Sequence, residues 1–188
     1  IDRTSKLNDA CRMSVQCLSV HDDDDRWACE ASLNRALLEL TRDGGGPVHV
    51  NLVTTYSSNF DVPALPSVHP VDRVEVGDEL PSLAGKKAVV YVGAHRVWDE
   101  RLTAAVDAFC AAYDAVVLYD HTSNYVGAYG ILGSLVLTQT HYVPSCKLVD
   151  VLIHIGDVSG ACGGPIAREC WRVNPDGNAC DPFGKLRY

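Results

Sequence analysis

The chain has 188 residues, of which 47% are hydrophobic and 21% are charged, and this composition is typical of a globular protein and excludes a wholly disordered chain. Its 16 Lys and Arg against 24 Asp and Glu give a formal net charge of −8 with no basic stripe, so nucleic acid is not a predicted partner. The longest apolar runs, such as residues 115–119 and 148–155, fall far short of the ~20 residues that a membrane-spanning helix needs, so no membrane span is expected.

The first predicted element is an amphipathic helix over residues 25–41. The acidic run at residues 22–25 supplies an N-cap and negative charge at the positive end of the helix dipole, and the glycines at 44–46 end the helix. The apolar positions recur at intervals of three and four, and they are Cys29, Leu33, Ala36, Leu37 and Leu40. This spacing predicts a wide apolar face along the helix.

A short strand is predicted next, at residues 47–53, and residues 1–53 are therefore interpreted as a partial α/β segment. Prolines and serines then break every periodicity between residues 54 and 85. We interpret residues 54–85 as a Pro/Ser-rich linker and residues 86–188 as a separate domain.

Strands and helices alternate in this third segment. The predicted elements are strands at residues 87–92, 115–120, 149–156 and 169–174 and a helix at residues 98–113. Two near-continuous apolar strands joined by one amphipathic helix form a right-handed βαβ unit with parallel strands. The predicted fold class is therefore α/β, with a doubly wound, mostly parallel sheet of Rossmann-like type.

Ligands of doubly wound sheets bind at the carboxyl ends of the strands, so the residues directly after the strands are candidates for a binding site. Gly93, Asp120 and Gly156 are the predicted cofactor-binding residues of this crevice, with residues 94–96 and 121–124 beside them. Gly93 would let a diphosphate approach a helix N-terminus, and Asp120 would accept a hydrogen bond from a ribose hydroxyl. Neither the Gly-x-Gly-x-x-Gly fingerprint nor a Gly-x-x-x-x-Gly-Lys-Ser/Thr loop follows the first strand, so the alternative that the glycines only form tight turns stays open.

The eight cysteines have irregular spacings and are interpreted as reduced residues of a cytoplasmic protein, because a chain of this size can build its own core without disulfides. Some of them fall at apolar positions of predicted helices, where a thiol packs as a small hydrophobic group. The best set for a zinc ion is Cys162, Cys170 and Cys180 with His154, but no Cys-x-x-Cys pair occurs, and no metal site is predicted.

No catalytic residue is predicted from the sequence. Asp120 and His121 lie close to Ser123, but neighbours on an extended segment do not face one another, and the Gly-x-Ser-x-Gly turn of a hydrolase is absent. His49, within a predicted strand, and His154, near the end of another, are interpreted as packed or edge residues.

Residues 46–52, with the sequence Gly-Pro-Val-His-Val-Asn-Leu after an Ala- and Leu-rich helix, resemble the end of the pyrimidine-binding domain of thiamine-diphosphate-dependent enzymes. The string is typical of the acetolactate synthase group and of the menaquinone-pathway synthase that joins 2-oxoglutarate to isochorismate. Residues 54–85 are similar to that family's linker, and residues 87–120, 119–127 and 148–156 resemble parts of its Rossmann-like central domain. The resemblance covers nearly the whole chain.

The resemblance implies that the chain is a fragment of a 2-oxo acid decarboxylase or carboligase, which is a lyase or a transferase. The parent enzyme would bind thiamine diphosphate and Mg²⁺ with the help of a pyrimidine-domain Glu and a Gly-Asp-Gly motif, and neither of these is found in this chain. The fragment is therefore expected to be mainly a structural central domain that is inactive alone. Its expected partners are the remaining domains of the parent enzyme and further copies in a homo-oligomer.

The alternative hypothesis is a self-contained Rossmann-like module that binds a nucleotide or a flavin such as FAD. Its site would be the strand-end crevice at Gly93, Asp120 and Gly156. The two hypotheses differ in what the isolated chain binds, because the module would hold its ligand without any other domain.

Overall fold

The structure, a computed structural model, describes residues 4, 9–56, 58, 61, 64–94, 98–139, 141–159 and 164–188. The chain divides into a first unit, Ile1–Arg73 with Asn178–Gly184, and a second unit, Val74–Gly177 with Lys185–Tyr188. Among the described residues, no helix combines the length and the apolar character that a membrane crossing requires.

The first unit contains one helix packed on a two-stranded parallel sheet. Its elements are β1 at Met13–Cys17, α1 at Asp23–Glu39, a 3-10 turn at Arg42–Gly44 and β2 at Val48–Leu52. Asp22 caps α1, because its side chain accepts a hydrogen bond of 2.8 Å from the backbone N–H of Asp25. The predicted helix and strand are present, and β1 is an additional strand.

The helix buries a narrower face than its apolar spacing predicts. Ala36 and Glu39 are buried, whereas Leu37 is 56% exposed and Leu40 is 43% exposed. A sheet of only two strands covers a narrow stripe of the helix, so the outer leucines of the predicted face remain in contact with solvent.

The two faces of the β1–β2 sheet differ in chemistry. Ser14 lies opposite His49, with Oγ and Nδ1 2.9 Å apart, and Asn51 donates from Nδ2 to Oε1 of Gln16 at 2.9 Å. Because side chains alternate along a strand, the intervening residues point to the other face. That second face is apolar and is formed by Met13, Val15, Cys17, Val48, Val50 and Leu52.

Segments outside the helix and strands are tied to α1 by side-chain hydrogen bonds. The Asn34 amide donates to the carbonyl oxygen of His69 at 2.8 Å and accepts from the N–H of Val71 at 3.1 Å. Trp27 donates from Nε1 to Oδ2 of Asp181 at 3.3 Å. Between Leu52 and Ala88, the described residues form no helix and no strand.

The second unit is built around a five-stranded, wholly parallel sheet, which confirms the predicted α/β fold class. The strand order is β5-β4-β3-β6-β7, so the direction of winding reverses between β3 and β6. The elements are β3 at Ala88–Val92, α2 at Glu100–Tyr113, β4 at Val116–Tyr119, β5 at Gly130–Leu132, α3 at Gly133–Leu137, a 3-10 turn at Ser145–Lys147, β6 at Leu148–Ile155 and β7 at Ile166–Val173.

The core of the second unit lies where α2 packs against the middle of the sheet. Every residue of β3 is buried, and Val106 and Cys110 of α2 belong to the same cluster of buried side chains. At the edge formed by β7, residues 185–188 lie alongside this strand and extend the sheet, and Leu186 forms a parallel β-bridge with Cys170. These last residues cover an edge that would otherwise expose unpaired backbone groups.

Candidate functional site

The three predicted cofactor-binding residues lie together at the carboxyl edge of the second unit's sheet. Gly93 follows β3, Asp120 follows β4 and Gly156 follows β6, and these strands are adjacent in the order β4-β3-β6. The N–H of Gly93 donates to the carbonyl oxygen of Ile155 at 2.9 Å, and the N–H of Asp120 donates to that of Val92 at 3.2 Å. Residues 95 and 96, part of the predicted crevice, lie outside the described residues.

The backbone segments that follow β3 and β6 are hydrogen-bonded to each other at the point where the strand order reverses. Ala94 and Asp157 form an antiparallel bridge, with hydrogen bonds of 2.7 and 2.9 Å between their backbone N–H and carbonyl groups. A Cβ atom at Gly93 would collide with the carbonyl oxygen of Asp157, and one at Gly156 would collide with that of Ala94. Close approach of two backbones therefore accounts for both glycines, and the N–H groups of Gly93, Ala94 and Asp157 are already used.

The N-terminus of α2 carries negative side chains. Asp99 is the N-cap and accepts a hydrogen bond of 2.7 Å from the N–H of Leu102, and Glu100 follows in the first turn. Both carboxylates are favourable at the positive end of the helix dipole, but they repel a phosphate at the same place.

Asp120 is almost completely buried, at 2% exposure, and organises the turn that follows β4. Its Oδ1 accepts from the backbone N–H of Thr122 at 2.7 Å and from the Thr122 hydroxyl at 2.6 Å. Burial raises the pKa of Asp120, but hydrogen bonds from Thr122 and Ser159 and the charge of nearby His121 outweigh it, so the pKa is lowered overall. Ser123, predicted not to be a nucleophile, is buried in this turn and accepts from the N–H of Tyr125 at 3.2 Å.

Replacing Asp120 by Asn is expected to destabilise the protein by about 1 kcal/mol at neutral pH, because a neutral amide oxygen accepts the two hydrogen bonds from Thr122 more weakly than the charged carboxylate does. The lowered folded-state pKa means that the charged form stabilises the fold above the ordinary value of 3.8, and that this stabilisation is lost as the pH falls through the folded value. Urea unfolding as a function of pH measures the difference between the two proteins.

The matched control is Asp78→Asn, because Asp78 accepts a similar turn hydrogen bond from the N–H of Glu75 at 2.9 Å in an exposed position. We expect a smaller loss for this variant. A difference between wild type and Asp120→Asn that stays constant below pH 3.8 contradicts the role given to the Asp120 charge.

A buried arginine near the same edge was not predicted from the sequence. The guanidinium of Arg172 donates from Nη1 to the carbonyl oxygen of Gly156 at 2.9 Å and from Nη2 to Oδ1 of Asp157 at 3.1 Å. Nη1 also lies 3.2 Å from Nδ1 of His154, and because a guanidinium only donates, this nitrogen accepts and the imidazole proton is on Nε2. His154 is fully buried with its ring 6.0 Å from that of Tyr91, which confirms its interpretation as a packed residue.

The sequence does not single out this arginine, because strand β7 also contains the charged residues Arg168 and Glu169. Its partners belong to the loop after β6, so the spacing of residues does not reveal them. The described residues contain no cluster of His, Cys, Asp and Glu able to hold a metal ion, and Cys162 of the zinc set considered above lies outside them.

Comparison with known proteins finds similarity over a short stretch. No protein-family model matches the chain. Over 65 residues it is 40% identical to 2-succinyl-5-enolpyruvyl-6-hydroxy-3-cyclohexene-1-carboxylate synthase of Bacteroides fragilis, 37% identical to the synthase of that name from Phocaeicola vulgatus and 34% identical to that of Bacteroides thetaiotaomicron. The matched stretch is 34% of this chain and 12% of each relative, so it spans only a small part of those proteins.

Proposed function

We propose that this chain is part of a thiamine-diphosphate-dependent 2-oxo acid decarboxylase or carboligase, and that its own role is mainly structural. The observation that carries the proposal is the 65-residue similarity to synthases that share one name. The resemblance of residues 46–52 to the family's pyrimidine-binding domain supports the same proposal. These residues comprise strand β2 and the two residues before it, and they follow α1 in the sequence.

The proposed role of residues 86–188 is that of the central domain, which spaces and orients the cofactor-binding domains of the parent enzyme. The all-parallel sheet with its order β5-β4-β3-β6-β7 supports a Rossmann-like central domain. The bridge between Ala94 and Asp157 favours a structural role over nucleotide binding, because it uses backbone groups that a phosphate would need.

The described residues do not fit thiamine diphosphate and Mg²⁺. Asp99 and Glu100 place two carboxylates at the helix N-terminus nearest the crevice, and no described cluster of carboxylates and histidines could hold a divalent cation. The diphosphate of FAD would meet the same two carboxylates. In this proposal the cofactor site of the parent enzyme is formed by its other domains.

The parent enzyme is also proposed to be cytoplasmic. In it, this chain is proposed to contact the remaining domains, and the whole enzyme is proposed to form a homo-oligomer. Seven cysteines are described, and all of them are free thiols, which supports a reducing compartment. The exposed leucines of α1 support assembly, since their apolar side chains face solvent in the single chain.

Calorimetric titration of the 188-residue chain tests the structural role. We expect no binding of thiamine diphosphate with Mg²⁺ at micromolar concentration, and none of FAD, NAD or acyl-CoA. A ligand present at 100 times its dissociation constant would raise stability by about 2.7 kcal/mol, so thermal unfolding provides an independent readout. Micromolar binding of thiamine diphosphate contradicts the structural role, and binding of FAD or NAD alone favours the self-contained module.

The activity of the parent is tested with the complete reading frame of its gene. We expect a frame of several hundred residues that contains a Gly-Asp-Gly motif and releases carbon dioxide from a 2-oxo acid only when thiamine diphosphate and Mg²⁺ are added. The 188-residue chain is the matched control and is expected to be inactive. A complete frame without that motif or that activity contradicts the proposed family.

A further inference from the structure

Arg172 and Asp157 form an ion pair at the carboxyl edge of the second unit's sheet, and the two partners differ strongly in exposure. Arg172 lies on β7, opposite His154 of β6, and its side chain is only 5% exposed. The Asp157 side chain is 80% exposed, and its Oδ1 lies 3.1 Å from Nη2 of Arg172. A buried cation is therefore paired with an anion that faces solvent.

A second ion pair joins β6 and β7 toward their other ends and has the opposite arrangement. Nε of Arg168 lies 3.3 Å from Oδ1 of Asp150, and here the arginine is 86% exposed and the aspartate 34% exposed. Water can hydrate Arg168 when Asp150 is removed. Arg172 is enclosed by protein, so the loss of its negative partner costs far more. The buried guanidinium therefore requires an anion beside it.

We propose that Arg172 binds a small-molecule carboxylate, and that the side chain of Asp157 occupies this site until the ligand displaces it. A guanidinium and a carboxylate form two parallel hydrogen bonds, so the ligand has the same chemistry as the group that it replaces. The buried cation keeps a negative partner throughout the exchange. The inference does not depend on the proposed function, because it uses contacts within the second unit alone.

Neutral acceptors hold the guanidinium in place. Nη1 donates to the carbonyl oxygen of Gly156 at 2.9 Å and lies 3.2 Å from Nδ1 of His154, a fully buried side chain. Both contacts fix the plane of the guanidinium without neutralising its charge. Nη2 is already directed at the position of the Asp157 carboxylate, so a ligand that arrives there meets an oriented donor.

The Asp157 side chain can leave while the sheet edge stays folded. The bridge to Ala94 uses the backbone N–H and carbonyl groups of Asp157 and not its carboxylate. Rotation of the exposed side chain into water restores the hydration of its charge, so the cost of its departure comes mainly from the unpaired Arg172. An incoming carboxylate removes that cost, and it reaches Nη2 from the solvent side that Asp157 has left.

The chemistry of the edge favours a carboxylate over a phosphate. The N–H groups of Gly93, Ala94 and Asp157 donate to carbonyl oxygens, so they cannot bind the further oxygens of a phosphate. A carboxylate needs only the guanidinium and matches its planar shape. Its single charge also equals that of the aspartate side chain whose place it takes.

Nuclear magnetic resonance of the isotope-labelled wild-type chain tests the site. Sodium acetate is added at constant pH and ionic strength, and the signals of the Arg172 Nε–H and of the Gly156 and Asp157 N–H groups are followed. We expect saturable shifts of these signals with a dissociation constant on the order of 10 mM. Pyruvate should shift the same signals, whereas phosphate should require at least about tenfold higher concentration.

Acetate should also rescue a variant that lacks the aspartate charge. Asp157→Asn keeps the size of the side chain and removes the competing carboxylate, so acetate should bind at least about tenfold more tightly than in wild type. The urea midpoint of this variant should therefore rise more steeply with acetate concentration. Asp150→Asn is the matched control, because its arginine is exposed, and its midpoint should respond to acetate as that of wild type does.

Three results overturn the proposal. They are the absence of a saturable shift at Arg172 up to about 100 mM acetate, equal acetate affinities of wild type and Asp157→Asn, and phosphate binding as tight as that of acetate. The first and the third are read from the wild-type protein, so a variant that fails to fold does not affect them.

Discussion

Replacing Gly156 by Ala is expected to lower the free energy of unfolding by about 3 kcal/mol or more. Gly156 has a φ of 79°, which an L side chain rarely adopts, and its new Cβ would collide with the carbonyl oxygen of Ala94. The backbone strain costs about 1–3 kcal/mol, and the displacement of the bridge between Ala94 and Asp157 costs about 1–3 kcal/mol more. Urea unfolding followed by circular dichroism measures the loss.

Gly85→Ala is the matched control for this substitution. Gly85 has a similar φ of 70°, but an added Cβ would find no heavy atom within 4 Å. It should therefore show only the backbone strain, about 1 kcal/mol. Equal losses at Gly156 and Gly85 would falsify the conclusion that close approach of two backbones requires the glycine at the sheet edge.

Hydrogen exchange is expected to be at least a hundredfold faster in residues 22–53 than in strands β3 and β4 in dilute solution. The first unit has only two parallel strands, and α1 leaves Leu37 and Leu40 exposed, whereas β3 is wholly buried and lies in the middle of five strands. We expect exchange in residues 22–53 to slow as the protein concentration rises, because a second copy would cover the exposed apolar face.

The exposed face of α1 offers a pair of variants for this experiment. Leu37→Lys should abolish the dependence on concentration, and Ala28→Lys, at another exposed position of the same helix, should leave it unchanged. Equal protection in both regions at every concentration would show that the first unit is stable as a single copy.

Most of the second unit's sheet is predictable because β3, β4 and β6 are near-continuous apolar runs separated by clear turns. The predicted strand at residues 149–156 is observed as Leu148–Ile155, and the predicted helix at 98–113 as Glu100–Tyr113. β5 has only three residues and α3 only five, and neither is long enough to establish a periodicity. β1 is likewise short, and its Met-Ser-Val-Gln-Cys alternation is recognisable mainly once its pairing with β2 is known.

The buried face of α1 could not be predicted because one of its residues is charged. Glu39 is buried although the apolar spacing places it outside the predicted face, and it lies close to the neighbouring Arg42 and to Arg12 and Arg73 from distant parts of the chain. Its carboxylate oxygens lie 3.1 Å from Arg42, 3.8 Å from Arg12 and 3.9 Å from Arg73. Hydropathy spacing treats Glu39 as a solvent-facing residue, since the spacing carries no information about distant cationic partners.

The location of the candidate site was predictable, but its chemistry was not. Parallel strands end at a common edge, so Gly93, Asp120 and Gly156 were expected to lie near one another, and they do. The bridge from Ala94 to Asp157 and the hydrogen bonds from Arg172 depend on how the ends of β3, β6 and β7 align in space. Sequence spacing does not determine those contacts.

The polar pairs on the β1–β2 sheet have a consequence for how faithfully this region folds. Parallel strands have no hairpin turn to align them, and β1 and β2 are separated by a helix of 17 residues. A slip of one residue would set Ser14 against Val48 or Val50, break its bond to His49 and separate Gln16 from Asn51. The slipped arrangement would also turn apolar side chains away from α1. The two pairs therefore make the slipped registers of β1 and β2 less stable than the native register. The backbone hydrogen bonds alone would form equally well in several registers.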